Sequence, residues 1–122
     1  MSIVNALAKV GEPVSYYPRL AVYLGGVKLA AFVSVLQQLQ SQRGGEYGVR
    51  MTREEWKDAT GLSYAEQTTV RRLLREVGYL EERRTRENSE TCIYYLLDYD
   101  SLDADFTDWL ESSAAISSTQ AA

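Results

Sequence analysis

The chain has 122 residues, 45% of them apolar and 25% charged, with a formal net charge of −4, one cysteine and no histidine. That supports one modest core and little more. A lone cysteine excludes an internal disulfide, and the lack of histidine removes most zinc sites and nucleophile–base pairs, so no metal, no cofactor and no enzymatic activity is expected.

Residues 1–15, MSIVNALAKVGEPVS, read as an N-terminal arm or short helix, stopped by Gly11 and Pro13. They lack the charged-then-apolar layout of a signal peptide. The longest apolar stretch, around Leu29 to Leu36, is too short and too polar to span a bilayer, so a cytoplasmic protein with no membrane partner is expected. Pro18 favours a helix start because its missing N–H costs nothing in the first turn, and Gly25 and Gly26 end that element. In VKLAAFVSVLQQLQSQ, Leu29, Phe32, Val33, Leu36 and Leu39 recur at helical spacing. RGGEYG then makes a turn, and VRM is long enough only for a short strand.

Two capping boxes follow. Thr52 with Glu55 starts a helix that carries Trp56, Ala59 and Leu62 on one face and breaks at Gly61. Ser63 with Glu66 starts a second helix that runs to Val77. Two capped helices joined by a glycine turn form a helix-turn-helix unit. YLEERR and TCIYYLL read as the strands of a hairpin, with TRENSE as its polar tip. Cys92 lies in the second of these runs and reads as a small buried hydrophobe rather than a nucleophile. The expected fold is mainly α with a small β hairpin (α+β), a winged helix-turn-helix over residues 16–100. An acidic segment, 101–112, adds a short helix through Phe106, Trp109 and Leu110, and residues 113–122 read as a disordered tail.

The cations concentrate on the second capped helix and the hairpin. At about 100° per residue, Val70, Leu73, Leu74 and Val77 mark the buried side of that helix. Tyr64, Thr68, Arg71, Arg72 and Arg75 then form an exposed stripe, and Gln67 joins Tyr64 and Thr68 in the N-terminal half, which faces base edges in helix-turn-helix proteins. Guanidinium groups fork onto phosphate or onto guanine, so double-stranded DNA is the expected partner. Arg83, Arg84 and Arg86 at the hairpin would reach phosphates or a minor groove. A blander reading competes: Arg72 pairs with Glu76 at i+4, and Glu81, Glu82, Glu87 and Glu90 neutralise the hairpin arginines. The nine tyrosines also raise base stacking on a single strand. Against that, Tyr94 and Tyr95 alternate sides of a strand, so at least one is core, and Tyr16, Tyr17 and Tyr23 are expected to pack around the first helices.

The stretch YYPRLAVYLGGVKLAAFVSVLQQLQ, with Leu24, Gly26, Ala30, Ser34 and Leu36, resembles the opening of winged-helix domains in phage and plasmid replication proteins, including replisome-organiser N-terminal domains. MTREEWKDATGLSYAEQTTVRRLLREVGYLEERR and TCIYYLLD resemble their second helix, recognition helix and wing, so the likeness covers about residues 16–100. It implies DNA binding in replication initiation or control by a mobile element, with replication proteins as further partners. Both a short autonomous protein and an N-terminal fragment of such a protein fit the length. The same geometry serves a transcriptional repressor, or a protein-interaction winged helix docking an acidic partner. A homodimer through the arm and the Phe106–Leu110 segment is also expected, because operators are often two-fold symmetric. Residues 98–122 depart from the pattern, with six acidic residues and no cation.

Overall fold

The computed structural model describes residues 3–121, with side chains for 3–113. The described residues form a mixed α+β structure of six helices and one three-stranded antiparallel sheet. In chain order these are α1 (Ile3–Leu7), α2 (Pro18–Leu24), α3 (Val27–Arg43), β1 (Val49–Arg50), α4 (Arg53–Thr60), α5 (Tyr64–Glu76), β2 (Leu80–Glu87), β3 (Glu90–Leu97) and α6 (Tyr99–Ala121). No single helix among the described residues is long and apolar enough to cross a membrane.

The helix α3 lies at the centre and buries Ala30, Phe32, Val33, Val35 and Leu36. Phe32 stacks on Trp56 of α4 at 4.0 Å between ring centroids, and Tyr95 of β3 meets Trp56 edge-on at 5.3 Å. Those three rings join helix layer to sheet and are almost wholly buried. Gln40 extends the sheet's hydrogen bonding into α3: its amide donates to the Leu97 carbonyl and accepts from the Leu97 N–H at 2.8 Å. An otherwise orphaned strand end is thereby satisfied.

Both capping boxes form. Thr52 and Glu55 exchange two bonds of 3.1 Å, and Ser63 and Glu66 exchange bonds of 3.2 and 2.9 Å. Gly61 between the helices has φ 77°, a left-handed conformation that a side chain would strain. α4 therefore stops and α5 starts within three residues, with Leu62 buried between them.

The sheet order is β1-β3-β2. Its hairpin is longer than the sequence suggests, because most of the supposed tip TRENSE is strand and the turn is only Asn88 and Ser89, both at positive φ. Such a two-residue turn matches the strand twist, and charged residues are tolerated because the hairpin tip is exposed, whereas its base buries Leu80, Tyr95 and Leu97. α6 likewise exceeds the expected short helix and runs on into the stretch read as disordered, since no glycine or proline interrupts it before Ala121. The side chains of 114–122 lie outside the described residues. Asp98 starts α6 by accepting from the Ser101 N–H at 3.1 Å, which holds its carboxyl below the usual range. Of the three early tyrosines, Tyr23 packs against Phe106 and Trp109 of α6, Tyr16 is 38% exposed, and Tyr17 precedes the first turn of α2 and is 76% exposed. Cys92 is buried, as expected for a small hydrophobe in this strand.

Candidate nucleic-acid interface

α5 begins at its capping box and presents a mixed surface. Thr68, Thr69, Arg72, Arg75 and Glu76 are exposed, with Tyr64 half-buried. The buried arc is Gln67, Val70, Arg71 and Leu74. Relative to the apolar arc, it is rotated by roughly 60° toward Arg71, taking about 100° per residue. Three expectations are corrected by that rotation. Val77 is 58% exposed rather than core, because it follows the last helical residue and the rotation carries it off the packed side. Gln67 is 1% exposed and unavailable to a base; its amide nitrogen donates to the carbonyls of Arg53 and Leu62, both at 3.1 Å, and so ties α5 to α4. Arg71 is 9% exposed and does not join the outer stripe.

Arg71 is buried because the hairpin brings it a carboxylate. Its Nε and Nη2 both donate to Glu82 at 2.8 Å, a two-pronged pair, while its guanidinium lies 5.3 Å over the Tyr95 ring. Arg75 adds a third bond to the same carboxylate at 2.9 Å but keeps 42% of its side chain exposed. Burial opposes ionisation of Glu82, yet the bonds and charge of Arg71, then of Arg75, outweigh it and hold the carboxyl below its usual range. The same bond to Glu82 raises the Arg71 pKa against the opposing burial. Two arginines thus share one acid, and the surplus charge faces outward at Arg75.

The remaining stripe is held with little strain. Arg72 reaches Glu76 at 3.2 Å with both side chains more than half exposed, a pair worth little in water. Thr68 bonds back to the Tyr64 carbonyl at 3.0 Å. Tyr64 hydrogen-bonds Glu54, which raises its hydroxyl pKa, and takes the Arg53 guanidinium over its ring at 4.7 Å. At the start of the helix, Lys28 of α3 pairs with Glu66 at 2.7 Å. That bond and those from Ser63 push the Glu66 carboxyl down to about 2.

Arg83, Arg84 and Arg86 are exposed on β2 and form no ion pair among the described residues. Two of the four glutamates expected to neutralise them are engaged elsewhere, Glu82 with α5 and Glu87 with Arg50, while Glu81 and Glu90 are exposed and form no ion pair among the described residues. Arg84 shares the sheet face of Glu82 and Tyr95 and lines an open groove of about 450 Å³ between the hairpin, α5 and the start of α4. Arg50, Arg53, Thr68 and Arg71 line it too, with Glu90 as its acid. Sequence reasoning missed Arg50 and Arg53, since they lie outside the basic run; the Thr52 capping box, which sets Arg53 at the first turn of α4, was the available signal. Among the described residues, no cluster of acidic or cysteine side chains could hold a metal ion. Comparison of the chain with family models, with curated proteins and with solved structures gave no match.

Proposed function

We propose that the protein binds double-stranded DNA as a winged helix-turn-helix, with α4 and α5 as the helix pair and the β2–β3 hairpin as the wing. The observation that carries this reading is the coincidence of exposed Thr68, Arg72 and Arg75 on α5 with Arg84 and Arg86 on the adjoining hairpin, which have no ion pair among the described residues, in a chain whose net charge is −4. Bulk attraction cannot draw such a protein to DNA, so affinity must come from that local surface. Arg72, Arg75, Arg84 and Arg86 hold phosphates; Thr68 and Tyr64 are left to meet base edges. Arg71 and Gln67 act from beneath, as positioning residues. The resemblance of the sequence to phage and plasmid replication proteins favours a role in replication initiation or control in a mobile element, and the same surface would serve a repressor.

The experiment is a salt titration of duplex binding. Wild type should show a steep fall of log K with log salt, and Arg72→Ala with Arg75→Ala should flatten the slope by about 1 per arginine. Thr68→Ala should spare non-specific binding and erode preference for a cognate site by about 1–3 kcal/mol. Equal duplex binding by wild type and the folded double variant would overturn the assignment and favour an acidic protein partner on the same face.

A further inference from the structure

The opposite face of the sheet carries a second arrangement that shares only Arg50 with the α5 groove. The register sets Arg50 of β1 and Arg83 of β2 on either side of Tyr94 of β3, so cation, aromatic and cation form one row across all three strands. Tyr47 covers that row. It meets Tyr94 edge-on at 6.2 Å, and the Arg83 guanidinium lies over its ring at 3.5 Å from the centroid. Tyr47 is held there by a tight turn in which Gly45 and Gly48 exchange two backbone bonds of 3.1 Å. Gly48 has φ 95°, and a Cβ on it would stand 2.0 Å from the Tyr95 carbonyl oxygen, so the turn is pressed onto β3 as no other residue allows.

Much of the cluster is internally satisfied. Glu87 accepts from the Tyr94 hydroxyl at 2.8 Å and pairs with Arg50 at 3.2 Å. Arg83 differs, because it has no carboxylate among the described residues. Its charge is held over an aromatic ring that is itself 40% exposed. A guanidinium set over an aromatic ring is a platform for a nucleobase, since every base has a π-face, and the guanidinium takes a flanking phosphate. A duplex hides its base faces, so the ligand chemistry is that of an unpaired strand.

We propose that Tyr47, Arg83, Tyr94 and Arg50 form a single-stranded nucleic-acid site on the outer face of the sheet, distinct from the α5 surface except at Arg50, which stands at the sheet edge and also lines the α5 groove. A base stacks on the Arg83–Tyr47 platform, and Arg83 and Arg50 hold the phosphates beside it. The site does not depend on duplex binding by α5.

The test is fluorescence anisotropy with a labelled oligothymidylate of about 12 nucleotides, within the usual site size for such surfaces. Wild type should bind it. Tyr47→Ala should weaken binding about tenfold, Tyr47→Phe should bind within about twofold of wild type, and Arg83→Ala should follow Tyr47→Ala. The Arg72→Ala/Arg75→Ala variant should keep oligothymidylate binding while losing duplex affinity. If Tyr47→Ala alters the circular dichroism spectrum, the exposed Arg83→Ala variant decides. No binding by wild type, undiminished binding by Arg83→Ala, or an equal loss in the Arg72/Arg75 variant would each overturn the proposal. Failure of the α5 reading would show separately, in the duplex titration alone.

Discussion

Leu74 and Val77 sit three residues apart and look equivalent in a hydropathy pattern, yet one is 1% and the other 58% exposed. Leu74→Ala should therefore cost about 2–5 kcal/mol in denaturant unfolding, by lost transfer energy and a residual cavity. Val77→Ala should stay within about 0.5 kcal/mol. Glu82 makes a sharper case. Its side chain is 7% exposed, and without it the buried Arg71 guanidinium loses its only carboxylate among the described residues. Glu82→Ala should destabilise by about 3 kcal/mol, because removing one partner leaves an uncompensated charge. Replacing the pair together, Arg71→Met with Glu82→Leu, should recover most of that loss, since the pair itself contributes little beyond its own desolvation.

At the element scale, α5 depends on how it begins. The Ser63–Glu66 box satisfies two backbone N–H groups, and Lys28 fastens the same glutamate to α3. Ser63→Ala should cost about 1 kcal/mol by thermal or chemical unfolding. The pH dependence has a definite sign. Glu66 titrates at about 2 when folded against 4.5 in its reference state, so its stabilisation is complete above about 4.5. It should drain away as pH falls from 4.5 toward 2. Lys28→Ala removes the largest cause of the depression, so the variant should lose less stability than wild type across that window. Parallel acid titrations followed by circular dichroism would check this; identical curves would contradict the assignment.

For the whole molecule, charge is segregated. Without residues 98–122 the chain would carry +2 instead of −4. α6 holds five of the six acids, with Asp98 just before it, while its apolar side packs on the body through Leu102, Phe106 and Trp109. Asp105 alone among them is tied to the core, accepting from the Tyr79 hydroxyl at 2.8 Å. Burial, then the bonds to Tyr23 and Asp105, keep that phenol protonated at any working pH. If the protein meets DNA, the free acids of α6 oppose it. Neutralising exposed Asp100, Asp103, Asp108 and Glu111 as amides should raise duplex affinity several-fold at low salt, about 0.01 M, and leave it unchanged near 1 M, where the Debye length shrinks to about 3 Å. An affinity gain that persists at high salt would point to a contact rather than to long-range repulsion.

The local rules of the chain were sufficient for its helices. Pro18, the two capping boxes, Gly61 and the spacing of Phe32, Val33 and Leu36 act over a few residues, and α2 to α5 follow them. The hairpin was legible from its β-branched and aromatic run, though its length was not, because Asn88 and Ser89 take a left-handed turn that polar residues only permit. The face of α5 was decided elsewhere. Hydrophobicity centres its buried side between Val70 and Val77, but Glu82 arrives from β2, eleven residues from Arg71, and makes an arginine cheaper to bury than a valine is to cover. Likewise nothing near Tyr47 announces Arg83, because strand register is what sets Arg50, Tyr94 and Arg83 in one row. A sequence states local preference and charge; which charges end up paired depends on long-range contacts that only the folded chain makes.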